Sequence, residues 1–134
     1  GALRKLGAEL GIADAVTFHG KVSHTALPTL IQRGSLFALS SRHEAQCMAV
    51  LEAAACGLPV VGTAVGVVPE LAPEAGAAVS VGDEKKLAEE IINFFKHPER
   101  AAQMKQAAQT KIQDRFTLAQ AAQRFQTIYA SIIG

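Results

Sequence analysis

Two carboxylates flanking a helix start are the groups in this sequence best placed to do chemistry. Glu44 and Glu52 are separated by the seven residues Ala45-Gln46-Cys47-Met48-Ala49-Val50-Leu51, and the apolar spacing predicts a helix from about Cys47 to Cys56. A helix that begins there leaves its first backbone N–H groups without intrahelical acceptors and carries a partial positive charge. The amides of Gln46, Cys47 and Met48 would therefore suit an anion such as a phosphate. Glu52 falls about a turn and a half into that helix, where its carboxylate could accept hydrogen bonds from a diol such as a ribose. Glu44, ahead of the helix, could do the same for hydroxyls at the other end of an elongated ligand. Acid, amide cluster and acid suit a ligand built as sugar, phosphate and ribose. A plainer reading stays open, because a glutamate before a helix also favours its dipole and one in the first turns is commonly solvated.

Other candidates carry less chemistry. His19, His24, His43 and His97 show no spacing that suggests a metal site, and only His43 adjoins the proposed cleft. Cys47 lies at a helix N-terminus, where thiols become reactive, but no base partner is visible. Gly66 reads as a backbone turn facing the same cleft, and Glu70 as a residue of a short helix. The sequence holds no G-x-G-x-x-G, no Walker A motif and no recognisable Ser-His-Asp set.

The elements that must position these groups follow from periodicity. Leu3, Leu6 and Leu10 recur at helical spacing before a stop at Gly11, and residues 15–20 (Ala-Val-Thr-Phe-His-Gly) read as a short strand. A helix is expected from about Thr25 to Gln32, burying Leu27, Leu30 and Ile31, with Pro28 in its first turn. The apolar run Leu36–Ser40 suits a strand buried on both faces, and Leu58–Thr63 a second buried strand with Pro59 at its start. Val65–Leu71 reads as a glycine turn into a short helix, and Ala77–Val81 as a shorter strand entered through Gly76. Asp83 is the expected N-cap of a helix lined by Leu87, Ala88, Ile91, Phe94 and Phe95. Pro98 opens the next helix, with Ala101, Met104, Ala108 and Ile112 at 3–4 spacing. Thr117 and Gln120 form a capping box for a last helix, whose seam is Leu118, Ala121, Ala122, Phe125, Ile128, Tyr129 and Ile132.

Unbroken apolar strands alternating with helices predict an α/β domain with a mostly parallel sheet flanked by helices. Ligands of such sheets sit beyond the carboxyl ends of the strands, and residues 41–48 and 63–69 both occupy that position. With 134 residues the chain fits one domain, able to bury about two-thirds of its unfolded surface. Its residues are 49% hydrophobic but only 5% aromatic, so the core must be aliphatic and alanine-rich. A net charge of +1 without any basic stripe argues against nucleic acid or an acidic membrane as partner. Cys47 and Cys56, placed along one helix, would stand roughly 13 Å apart, too far for a bridge. Two unpaired thiols, with no secretory leader and no long apolar run, lead us to expect a cytoplasmic protein.

Residues 41–61 (Ser-Arg-His-Glu-Ala-Gln-Cys-Met-Ala-Val-Leu-Glu-Ala-Ala-Ala-Cys-Gly-Leu-Pro-Val-Val) resemble the E-x7-E region of retaining GT-B glycosyltransferases of the family 4 type. Val65-Gly66-Val67-Val68-Pro69-Glu70 is similar to that family's G-G-x-P-E turn. The Val16–Gly20 segment, the Val81-Gly82-Asp83 helix entry and the Phe116–Tyr129 terminal helix continue the likeness in order along nearly the whole chain. It implies a Rossmann-like domain that binds a nucleotide-sugar donor, from which a hexosyl group passes to an acceptor with retention of configuration. The family usually works without a metal, so the donor is a substrate and no cofactor is implied. By motif position Glu44 would bind the donor sugar's hydroxyls and Glu52 the ribose. The amides of Gln46, Cys47 and Met48 would approach the sugar and diphosphate, with His43 and Gly66 beside them. No residue is assigned as catalytic. Cys47 stands where the family usually has Gly or Pro, and Val67 replaces the second glycine of the turn, so a side chain at 47 crowds the approach to a phosphate.

The resemblance also implies that residues 1–134 are a C-terminal fragment. The N-terminal domain with its acceptor site is absent, and so are the first two donor-domain strands with their phosphate-neutralising cations. Inactivity of the isolated chain follows. The full-length enzyme could sit peripherally at the inner membrane face. The two absent strands would lie between residues 15–20 and 36–40, which leads us to expect that these strands pair differently or close their edge through another chain, by homo-oligomerisation or strand exchange. Two rival readings are a non-catalytic nucleotide-binding or interaction module derived from such an enzyme, and an unrelated doubly wound domain whose carboxylates coincide by chance.

Overall fold

The structure, a computed structural model, describes residues 1–133. Seven helices and three strands follow one another as α1 (Ala2–Glu9), α2 (Leu27–Gln32), β1 (Phe37–Leu39), α3 (Met48–Ala55), β2 (Val60–Thr63), α4 (Val68–Leu71), β3 (Gly76–Val79), α5 (Glu84–Lys96), α6 (Pro98–Arg115) and α7 (Leu118–Ile133), with a single 3-10 turn at Ala13–Ala15. The sheet is parallel throughout in the order β1-β2-β3. The α/β class with a parallel sheet flanked by helices is therefore as expected.

β2 is the central strand and all four of its residues are buried. Its Val60 aligns with Phe37 on one side and Gly76 on the other. A Cβ at Gly76 would run into the backbone of Val60, so glycine is what lets β3 close on β2. Val50, Leu51 and Ala54 of α3, Val67, Val68 and Leu71 around α4, Ala75, and Ala108 of α6 pack with Val60 as one core cluster. Its members are aliphatic and small, which lets helices lie close to the sheet and replaces the missing aromatic bulk.

Caps and stops behave as local chemistry dictates. Asp83 accepts a hydrogen bond from the Lys86 amide at 2.9 Å, Pro98 opens α6, and Thr117 Oγ1 accepts from the Gln120 amide at 3.2 Å. Elements that depend on an external partner depart from expectation. Residues 16–20 form no strand, because no described strand lies beside them; Phe18 instead sits under the Arg4 guanidinium, 4.6 Å from its ring centroid. The expected four strands are thus three. β1 is not buried on both faces, since Ala38 is exposed and the strand pairs only with β2. Its other edge stays open, so the expected re-pairing of 15–20 within the chain does not occur.

The helix boundaries shift slightly. α2 starts at Leu27 with Pro28 in its first turn, and Leu27, Leu30 and Ile31 are half-buried rather than buried. β3 begins at Gly76 itself and ends before Val81. On α5 the inward face holds Leu87, Ile91 and Phe94, while Ala88 and Phe95 are exposed. The leucines of α1 are exposed, and α7 has no buried residue, with Leu118 88% and Ile132 74% accessible.

Candidate functional site

The site is built where β1 and β2 end. Thr63 Oγ1 donates to the Ser41 carbonyl at 2.6 Å, tying the two strand ends together. Beyond them two loops meet: the Val67 amide donates to the Gln46 carbonyl at 3.0 Å. Gly66, at φ +54°, passes so close that a Cβ there would lie 2.7 Å from the Gln46 carbonyl oxygen and 3.2 Å from Glu44 Cβ. Glycine is required at 66 on both counts. The expectation that residues 41–48 and 63–69 line one region is met by this contact.

Cys47 turns the loop into the helix. Its backbone is left-handed, φ 66° and ψ 78°, and it is the only non-glycine residue with positive φ among those described. A glycine would adopt this conformation without steric cost, whereas an L-residue incurs about 1–2 kcal/mol. The Cys47 side chain is half-buried and packs against the core cluster. The helix accordingly starts at Met48, with Cys47 as its N-cap, not its first residue. No side chain caps it: the amides of Gln46, Cys47, Met48 and Ala49 have no hydrogen-bond acceptor among the described residues. Four donors are thus left without a partner among the described residues at the head of an eight-residue helix.

Glu44 is exposed and accepts a hydrogen bond from Ser41 Oγ at 2.7 Å, which leaves its second oxygen available. Glu52 is half-buried on α3, away from the buried face formed by Val50, Leu51, Ala53 and Ala54. His43 is exposed without a hydrogen bond to the described residues. The structure therefore brings Glu44, Gln46, Cys47 and Gly66 into one place, and holds Met48 and Glu52 on the adjoining helix. Among the described residues no three His, Cys, Asp or Glu side chains group as metal ligands, and no helix is long and apolar enough to cross a membrane.

Residues far off in sequence complete the surroundings. Gln46, Met48 and Leu51 line a groove of about 440 Å3 whose far wall is Glu70, Arg115, Phe116 and the start of α7. Glu44, His43, Glu52 and Gly66 do not line that groove. Arg115 pairs with Glu70 at 3.3 Å, and Lys111 reaches the carbonyls of Glu70 and Leu71 and the carboxylate of Glu74. Sequence reasoning missed these contacts, since nothing local links α6 to α4 across some forty residues.

A family profile described as "Glycosyl transferases group 1" matches residues 2–111. N-acetyl-alpha-D-glucosaminyl L-malate synthase of Bacillus anthracis is 31% identical over 131 residues, covering 96% of this chain and 34% of that protein. Among solved structures, Alr3699/HepE of Anabaena in complex with UDP superposes with a TM-score of 0.87 at 26% identity, covering 97% of this chain and 36% of its own. The C-terminal domain of a glycosyl transferase group 1 family protein (LpcC) from Francisella tularensis superposes with a TM-score of 0.79 over 87% of this chain and 62% of its own; at 18% identity that likeness speaks for the fold alone. The chain spans about a third of the length of the first two of these relatives.

Proposed function

Since the chain belongs to the group 1 glycosyl transferases and has the α/β fold of their C-terminal domain, we propose that it is the donor-binding part of a retaining enzyme that passes a hexosyl group from a nucleotide sugar to an acceptor. One observation carries the reading: the amides of residues 46–49 lack protein acceptors at the head of α3, beside Glu44 and beyond the carboxyl end of the sheet. Such a cluster is a diphosphate cradle by charge and by hydrogen-bonding geometry. Glu44 then takes the sugar hydroxyls through its free oxygen, and Glu52 takes the ribose diol. His43 and Gly66 flank the sugar end. The inward packing of Cys47 lessens the crowding that a side chain at this position would otherwise impose. Support also comes from the relative crystallised with UDP and, separately, with UDP-glucose.

Sugar transfer needs an acceptor site and a base or stabilising group, neither of which is assembled among the described residues, so this segment by itself binds donor without transferring sugar. The donor site requires no resident metal, and the two free thiols, Cys47 and Cys56, favour a reducing, cytoplasmic setting. Residues 1–134 act as one domain.

Calorimetric titration of the chain with UDP-, GDP- and ADP-sugars tests this. One nucleotide class should bind more tightly than millimolar. Glu52→Ala should weaken it by roughly 10–100-fold, the loss expected for hydrogen bonds to a charged acceptor. Glu44→Ala should leave the free nucleoside diphosphate unaffected and erase any preference for the sugar-bearing form. Absence of binding by all three classes would instead favour a non-catalytic interaction module.

A further inference from the structure

α4 has only four residues, far too few to hold itself together as a helix in water. It is held from both ends. At its start Val67 and Val68 are buried in the core, and the Val67 amide grips the Gln46 carbonyl. At its end the ammonium of Lys111, from α6, donates to Glu70 O at 2.9 Å, Leu71 O at 3.2 Å and Glu74 Oε2 at 2.6 Å. An ammonium has three donors, so all of them are committed to this one place. The Lys111 side chain is only 22% exposed, and its neighbours Ala107, Ala108 and Ile112 pack against the core, so the cation rides on a fixed helix. One turn further, Arg115 reaches the Glu70 carboxylate at 3.3 Å.

The result is a continuous mechanical path from α6 through α4 and Val67 to Gln46, and so to the left-handed Cys47 and the free amides of α3. We propose that Lys111, aided by Arg115, is a positioning residue for the donor-binding backbone: it fixes α4 so that Val67 holds the Gln46 carbonyl and the loop keeps the amides of residues 46–49 unpaired. The inference rests on the donor-binding reading for its consequence, but not for its geometry. Residue 47 is conformationally costly for cysteine, so the left-handed turn persists only where its flanks are held. Without Lys111 the carbonyls of α4 lose their cation, and the turn is free to relax.

Two readouts on the intact 134-residue chain separate the outcomes. The first is amide hydrogen exchange by NMR. Lys111→Met should speed exchange at Val67 at least about tenfold more than at Val60, whose amide is bonded to Ala75 O in the sheet. Equal acceleration at the two amides would mean a general loss of stability and would overturn the proposal, as would no change at Val67. The second readout is UDP affinity, which Lys111→Met should weaken about tenfold while Lys111→Arg restores it. Glu74→Gln, which keeps the carbonyl contacts, should leave both readouts as in the parent; an effect as large as that of Lys111→Met would shift the role to the ion pair and refute the carbonyl clamp. Should Lys111→Met fail to fold, Arg115→Met, at a half-exposed ion pair, carries the same two measurements with smaller changes. If the parent chain does not bind UDP, the donor reading fails, and the exchange experiment still decides the positioning claim.

Discussion

α3 and α7 are both helices with apolar residues at helical spacing, yet they end in opposite states. α3 buries Val50, Leu51, Ala53 and Ala54 between the sheet and α6, whereas α7 buries nothing, leaving Leu118, Phe125, Ile128, Tyr129 and Ile132 more than half exposed. α1 repeats the pattern of α7, with Leu3, Leu6 and the C-capping Leu10 exposed. The periodicity of a sequence therefore states which face of a helix is apolar, and it is silent on what covers that face. In this chain the covered elements are β2 with its flanking α3 and α4, then β3 and α6. The open ones lie at the two ends and along the free edge of β1.

The contrast can be broken by one pair of substitutions with identical chemistry. Leu51→Ala removes a side chain that is 8% exposed, and Leu118→Ala one that is 88% exposed. The first should cost about 3 kcal/mol in urea denaturation and the second no more than about 0.5 kcal/mol. A large, protein-concentration-dependent loss from Leu118→Ala would show instead that α7 is covered in solution by another copy.

How much was legible beforehand follows the same line. The Asp83 cap, the Pro98 start and the Thr117 cap were readable because a cap involves residues three positions apart. The α3–β2 unit was readable because a contiguous apolar run, bounded by Gly57 and Pro59, needs no long-range information to be interpreted. The strand at 15–20 was not, since Val16 and Phe18 alternate as a strand would, but a strand exists only through its neighbour. The site divides likewise. Glu44, Glu52 and the unpaired amides follow from spacing, while the left-handed turn at Cys47 does not, because the contact beside it, the Val67 amide on the Gln46 carbonyl, comes from about twenty residues away. Lys111 and Arg115 were invisible as site supports for the same reason.

Capping offers a finer cut between the two kinds of region. Asp83 caps α5, whose Phe94 is buried, and Thr117 caps the wholly exposed α7. Asp83→Ala should lower global stability by about 1 kcal/mol, because fraying of α5 is coupled to the core. Thr117→Ala deletes a similar bond, yet it should reduce helicity of residues 118–133 without moving the denaturation midpoint. Far-UV circular dichroism along the urea curve reads both quantities. Equal shifts in midpoint would mean that α7 is cooperative with the core after all.

The smallest effect concerns two ion-paired groups, one in the α4–α6 clasp and one on the outer flank of α5. The Lys111 hydrogen bond, seconded by Glu74's own backbone, holds the Glu74 carboxyl below its ordinary 4.5, against the opposing pull of desolvation. A depressed carboxylate contributes stability above its unfolded value, and that contribution is lost as pH falls through the lowered folded value. On the exposed flank of α5, Glu90 first and Glu89 second raise Lys86 above its ordinary 10.5. That contribution is complete below 10.5 and disappears as pH rises through the raised folded value. Both groups are solvent-screened, so the changes in stability should be small, and NMR titration of each side chain is the better measurement. Lys111→Met should move Glu74 up toward its ordinary range and leave Lys86 untouched. Raising the ionic strength to about 0.5 M should relax Lys86 more than Glu74, because Lys111 is locked by two carbonyls as well as by the carboxylate, whereas Lys86 is held only by carboxylates, those of the exposed Glu89 and the half-buried Glu90. Equal relaxation would place Glu74 with the solvated periphery and remove the α4–α6 clasp from the closed half of the molecule.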